Sequence, residues 1–239
     1  LIMDNTVATA YLVKPLSLGA DIVVNSTSKY INANSSAISG VITDGGKFKW
    51  DTEKYPGMKD FKKFGPFAYT AKLRNGLFRN TGACLSPQNA FYNSIGMETL
   101  GLRMERVCDN AKTLAQFFAT EYSDIEVNYP GLAGSKWHNI ATEQFGDKFG
   151  GIITIRTGNK KRAFGIIDAL KLPLIVSNIG DTKTLVIHPE STLNVHSTQE
   201  EKETAGVFDD LIRISVGIED IDDLIDDFKQ AIESVKDVY

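Results

Sequence analysis

Lys29 follows two small hydroxyl residues in the run Ser26-Thr27-Ser28-Lys29, directly after the apolar stretch Ile22-Val23-Val24. A second apolar stretch, Leu1-Ile2-Met3, ends in Asp4. Each stretch reads as a short buried strand. An acid and a lysine at the ends of neighbouring strands, with hydroxyls beside the lysine, meet the needs of pyridoxal 5'-phosphate (PLP). The lysine forms the Schiff base, Ser26 and Ser28 donate hydrogen bonds to phosphate, and Asp4 pairs with the pyridinium nitrogen. Thr27 points the other way if the backbone is still extended. Taken alone, Lys29 reads as a surface lysine; its pairing with Asp4 and the two serines turns the reading towards a cofactor site. The same amine, once released, is suited to act as general base on a substrate Cα proton.

The elements that must position these residues are short. Residues 5–20 are long enough for a crossover, so strand, crossover and strand form a parallel unit. Ligands in such sheets bind beyond the carboxyl ends of the strands, where Asp4 and residues 26–29 both fall. Gly40-Val-Ile-Thr43 reads as a further strand, turned by Asp44-Gly-Gly46, and residues 52–65 as a polar surface excursion. Ser86 and Pro87 make a good N-cap and first position for a long helical stretch that reaches about Tyr122. From about residue 123 the pattern changes to strands at Asp124–Pro130, Gly151–Arg156 and Leu211–Val216, a helix at Lys160–Leu170, and a terminal helix striped by Ile221, Leu224, Phe228 and Ile232. Asp220, Asp222 and Asp223 suit the dipole at the start of that helix.

Arg213 lies mid-strand between Ile212 and Ile214, where an unpaired charge is costly. Its planar fork matches a carboxylate. By its residues alone this position is slightly better explained by a structural ion pair with an acid such as Asp209 or Asp210.

With 239 residues and a formal net charge of −4, the chain is an ordinary globular composition with no basic stripe for nucleic acid. No apolar run approaches a membrane span. Cys84 and Cys108 have no metal or redox spacing, and two thiols suit a reducing cytoplasm. His138, His188 and His196 form no metal-ligand pattern, and no Walker or dinucleotide motif is present.

Several motifs, in order and spacing, resemble the Cys/Met-metabolism family of PLP-dependent enzymes. They are Asp4-Asn-Thr-Val-Ala-Thr9, residues 15–30, Arg79-Asn-Thr-Gly-Ala-Cys-Leu-Ser-Pro87, residues 96–104, Tyr129-Pro-Gly-Leu132, Phe149-Gly-Gly-Ile-Ile153 and residues 211–220. Residues 177–189 look most like the O-acetylhomoserine sulfhydrylase branch. The resemblance implies an α/β fold: the end of a mostly parallel, helix-covered large domain at residues 1–115, then a smaller α+β C-terminal domain at 116–239. It places Arg213 in the substrate site, with Ser177 and Asn178 as the turn that completes carboxylate binding. It implies γ-replacement, in which O-acetylhomoserine and sulfide (or a thiol) give homocysteine (or methionine) and acetate. Cystathionine γ-synthase, a γ-lyase, or an inactive fragment that retains the fold are the alternatives. A homotetramer in the cytoplasm is implied as well. The chain starts inside a strand, so the upstream part of such an enzyme is expected as its partner, supplying a phosphate loop and a ring-stacking aromatic. Two local departures stand out: Asn25 replaces a usual His, and Asn32-Ala-Asn-Ser35 replaces a glycine- and histidine-rich turn.

Overall fold

β-Branched residues at Ile22, Val23 and Val24 favour extended backbone, and they form the centre of the first sheet in a computed structural model that describes residues 1–236. The chain divides into two compact units, Leu1–Glu98 and Thr99 onward. In the first, β1 (Ile2–Asp4) and β2 (Ile22–Ser26) are parallel, with Ile2 opposite Ile22 and Asp4 opposite Val24. Their connection holds α1 (Thr9–Leu12) and a 3-10 turn at Pro15–Leu18. Gly19 ends that turn at φ 101°, a conformation that favours glycine. β3 (Gly40–Asp44) pairs antiparallel with β2, Ser26 opposite Gly40. The sheet is therefore mixed, where the sequence suggested a mostly parallel one. Only the β1–β2 half has a crossover; the 13 residues between β2 and β3 hold a turn and return the chain directly.

The excursion that follows is not simply polar. Trp50 stacks on Tyr69 with ring centroids 5.7 Å apart, and Phe48 and Tyr55 meet Trp50 edge-on. A 3-10 segment at Pro56–Phe67, α2 (Ala68–Lys72), a π-helical segment at Leu73–Phe78 and α3 (Arg79–Thr81) follow. α4 (Pro87–Glu98) begins as the sequence suggests: Asn89 N donates to Ser86 Oγ at 3.2 Å.

The second unit opens with α5 (Leu100–Glu121), which contains the 115/116 boundary expected from the sequence. The remaining order is β4 (Glu126–Asn128), α6 (His138–Phe145), β5 (Ile152–Arg156), α7 (Lys160–Ala169), β6 (Leu174–Ile175), β7 (Leu185–Ile187), α8 (Gln199–Thr204), β8 (Leu211–Ser215) and α9 (Ile221–Glu233). The sheet runs β4-β5-β8-β7-β6, antiparallel except for β6 with β7. Alternation sorts its side chains. Ile153, Ile155, Ile212 and Ile214 are fully buried in one core with Leu114 and Phe118 of α5, Ile166 of α7 and Phe228 of α9. Thr154, Arg156 and Arg213 take the alternate positions and are only half-buried. The acids at the start of α9 behave as the dipole reading requires, with the Asp220 side chain accepting from Asp222 N.

Candidate functional site

Parallel register places Asp4 opposite Val24, so Asp4, Val24 and Ser26 share one face at the carboxyl ends of β1 and β2. Strand ends are tied together by side chains: Ser26 N donates to Thr6 Oγ1 at 2.8 Å, and Asn5 N to Val24 O at 2.8 Å. Asp4 is exposed, and its Oδ1 accepts from Thr6 N at 2.9 Å. The chain then turns, with Asn32 N donating to the carbonyls of Thr27 and Lys29, and leaves Lys29 half-buried. The expected Asp4, Ser26, Ser28 and Lys29 are thus neighbours along two adjoining strand ends.

Ser28 is engaged within this turn. Its hydroxyl donates to Ser39 O at 3.1 Å and accepts from Ser39 N at 2.8 Å. A serine has one hydroxyl proton, so donation by Ser28 to a phosphate exchanges the bond to Ser39. Two residues just beyond, Ala33 (φ 81°) and Ser35 (φ 58°), hold left-handed backbone, which glycine normally supplies. Helix α4 packs against this turn at Gly96, where a Cβ would fall 2.2 Å from Ile31 O.

The donor set fits PLP in chemistry: a carboxylate for a pyridine nitrogen, hydroxyls for phosphate and a primary amine for an aldehyde, all at one end of one strand pair. Buried amide atoms beside it lack hydrogen-bond partners, namely Asn5 Oδ1, Asn25 Oδ1 and Asn32 Nδ2. Such groups are uncommon in folded proteins.

The other expected group lies in the second unit. Arg213 stands opposite Thr154 of β5 and Ile187 of β7. Its Nη2 donates to the carbonyls of Ser177 (3.3 Å) and Asn178 (3.2 Å). That turn is pinned at both ends, by Val176 N on Val186 O and by Gly180 N on Ser215 Oγ. Ser177, Asn178 and Arg213 are therefore brought together, with the turn's backbone carbonyls accepting from the guanidinium. Asp210, a possible ion-pair partner, instead accepts from Arg156 Nε at 2.9 Å and from Gly158 N. Asp209 offers its carbonyl to His188 Nε2.

Titration marks structure more than chemistry here. Burial pushes the Cys108 thiol up to about 11, against the opposing bond to the Gly150 backbone, which keeps it protonated. Glu190 is held down to about 2 by hydrogen bonds from Lys160 and Lys202. A cleft of about 840 Å³ wraps the edge strand β4, lined by residues such as Leu132, Trp137, Arg156 and Phe208, and includes none of the expected site residues. Among the described residues no group of three or more His, Cys, Asp or Glu could hold a metal ion, and no helix is long and apolar enough to cross a membrane.

Sequence reasoning missed Thr6, Ser39 and Asn93 as groups around the lysine. Thr6 carries a weak signal in its spacing of two from Asp4; Ser39 and Asn93 carry none, because their contacts are made far along the chain.

Comparison with known proteins shows the family of the chain. A profile of Cys/Met metabolism PLP-dependent enzymes matches residues 1–233. The O-acetyl-L-homoserine sulfhydrylase of Corynebacterium glutamicum is 41% identical over 252 residues, 98% of this chain and 57% of that protein. An L-methionine gamma-lyase of Fusobacterium nucleatum is 39% identical, over 98% of this chain and 54% of that protein. A solved O-acetylhomoserine (thiol)-lyase from Campylobacter jejuni, which carries a pyridoxyl-lysine monophosphate, superposes with a TM-score of 0.90 at 35% identity. That superposition covers 97% of this chain and 58% of that one. The chain thus spans somewhat over half the length of these relatives. It belongs to the Cys/Met metabolism family of PLP-dependent enzymes, and its fold is α/β with mixed sheets.

Proposed function

We propose that this member of the family takes part in γ-replacement, in which O-acetylhomoserine and sulfide, or a thiol, give homocysteine, or methionine, and acetate. Supporting this reading are the sulfhydrylase relatives and the lysine at the end of β2, beside Asp4 and Ser26. PLP, when bound, supplies an electron sink that makes protons near the substrate amine labile. Each residue has a part suited to its place. Asp4 accepts a hydrogen bond from the pyridine nitrogen and favours its protonated state. Ser26 and Ser28 hold the phosphate, Ser28 in exchange for its bond to Ser39. Lys29 anchors the cofactor and then, as a free amine, moves the substrate Cα proton. Arg213 binds the substrate α-carboxylate, oriented by the Ser177–Asn178 turn. On this reading the first unit is the later part of the cofactor-binding large domain and the second is the smaller C-terminal domain. The upstream part of the same enzyme completes the site, in a cytoplasmic homotetramer.

The L-methionine gamma-lyase relative favours a second reading, γ-elimination, which would draw on the same residues. The two separate by product: sulfide and O-acetylhomoserine yield homocysteine in the first, whereas methionine yields methanethiol in the second. Borohydride reduction and peptide mapping test the common premise. The phosphopyridoxyl label is expected on Lys29, and a label on another lysine would sink the assignment.

A further inference from the structure

A chain of side-chain bonds reaches from helix α4 to the lysine turn. Asn93 is 8% exposed and, with Gly96, lies on the one covered face of a helix whose other faces are open to solvent. Its Nδ2 donates to Ser39 Oγ at 3.0 Å, and Ser39 Oγ lies 3.2 Å from Asn93 Oδ1. The same Ser39 oxygen accepts from Thr27 Oγ1 at 2.6 Å. Both lone pairs of Ser39 Oγ are then used and its proton points to Asn93. The Ser39 backbone carries the rest of the load. Its carbonyl accepts from Thr27 N at 3.0 Å and from Ser28 Oγ, and its N–H donates back to Ser28 Oγ. Ser39 thus grips both Thr27 and Ser28, and Asn93 grips Ser39.

We propose that Asn93 is a positioning residue for Lys29, acting through Ser39 on the Thr27–Ser28 segment that precedes the lysine. The proposal rests on the reading of Lys29 as the cofactor lysine. Three features make the connection mechanical. Thr27 is 5% exposed, so a displaced hydroxyl there has no water to replace Ser39. No residue separates Ser28 from Lys29, so a shift of one moves the other. Helix α4 also touches the turn at Gly96, so Asn93 and Gly96, three residues apart on one helix face, hold it at two points. Ser28 adds a chemical consequence: the Ser39 carbonyl competes with a phosphate for its hydroxyl proton, and the placement of that carbonyl is what Asn93 controls.

The test compares Asn93→Ala, Asn93→Leu and wild type in the purified protein. Asn93→Leu fills the side-chain volume, so that a cavity effect is not mistaken for a lost hydrogen bond. Hydrogen exchange without added cofactor should be roughly tenfold faster at the amides of Thr27 and Ser39 in both variants, the size of one lost buried hydrogen bond. With PLP added, the dissociation constant should rise by about the same factor, and the pH midpoint of the bound cofactor's absorbance should move. In a double-mutant cycle, Thr27→Val should add little to Asn93→Leu, because both act through the Ser39 hydroxyl. Unchanged exchange at Thr27 and Ser39 overturns the proposal. So does a variant that is less stable overall yet keeps the wild-type cofactor affinity and pH midpoint, because packing alone would do that. If wild type takes no cofactor on Lys29, the functional reading fails instead, while the exchange comparison still decides whether Asn93 holds the lysine turn.

Discussion

Lys29 and Arg213 are held in opposite ways. Lys29 sits on a turn tied by polar side chains, among them Thr6, Thr27, Ser28, Ser39 and Asn93, and two non-glycine residues beyond it hold left-handed backbone. Arg213 sits mid-strand, with ladder partners on both sides and fully buried Ile212 and Ile214 behind it. Polar bonds in a turn each contribute only about 1 kcal/mol net but are directional. A packed strand is resistant to movement, because any shift disturbs a close-packed core. On the proposed reading a covalently bonding lysine needs aim and a change of partners, and such a turn suits both. On the same reading a carboxylate-binding arginine needs a fixed charge, which a packed strand suits.

The largest expected effect is on the rigid side. Arg213→Ala should weaken binding of an amino-acid substrate or analogue by roughly 2–5 kcal/mol, as for truncating one side of a buried charge pair. Cofactor content should stay close to wild type, because on the proposed reading the arginine holds the substrate carboxylate, with Nη2 donating to the Ser177 and Asn178 carbonyls. Equilibrium titration with a substrate analogue, alongside PLP absorbance, measures both. Loss of cofactor with normal analogue binding would refute the division of labour. On the turn side, Gly96→Ala places a methyl against the Ile31 and Asn32 backbone, with no flexible side chain able to yield. It should cost about 1–3 kcal/mol of stability by overpacking and lower cofactor retention as well. Denaturant unfolding and PLP content give the two numbers; a neutral Gly96→Ala would show that helix and turn are not closely coupled.

How much of this was legible in the sequence follows from the same contrast. Lys29, Asp4 and the serines were readable because strand ends are local features, and parallel register follows from the length of the crossover. Arg213 was readable as a charge inside an apolar run, but its partners were not: Asp210 proved to bond Arg156, and the Ser177–Asn178 turn lies 36 residues from Arg213. Ser39 and Asn93 are separated by 54 residues, and neither disturbs the helical or strand pattern around it. The very short strands β6 and β7 were missed for a related reason, since two or three residues carry no period.

A smaller effect is expected from pH on the strand side. Glu190 follows β7 and bonds Lys160 of α7 and Lys202 of α8. Its carboxyl is lowered to about 2 in the fold, against about 4.3 in an unfolded chain. A depressed carboxyl stabilises fully above the unfolded value and loses its contribution as pH falls towards the folded one. Glu190→Gln should therefore cost about 1 kcal/mol at pH 6, the scale of a partly exposed ion pair, and only a small remainder of that at about pH 2. Urea unfolding at both pH values checks the sign. A penalty that grows on acidification would show that the carboxylate does not clamp these elements.

The smallest effect probes the turn itself, and its sign is the reverse. Ala33 holds φ 81°, a conformation that costs an L-residue about 1–2 kcal/mol. Replacing it by glycine relieves that strain but gives the unfolded chain more freedom, so the net gain should be about 0.5 kcal/mol. Ala33→Gly should accordingly raise the midpoint of denaturant unfolding slightly, while the equivalent change at Ala163, buried inside helix α7, should lower it. The strain also bears on function, because it persists only while Asn32 is anchored, through its N–H to Thr27 and Lys29 and through its Oδ1 accepting from Ser36 N. With the strain relieved, those bonds no longer oppose a bias of the backbone, and the amide of Asn32 should exchange more slowly with solvent. If Ala33→Gly instead destabilises the protein or speeds that exchange, Ala33 is contributing contacts that outweigh its backbone cost, and the turn is held by packing much as Arg213 is held by its strand.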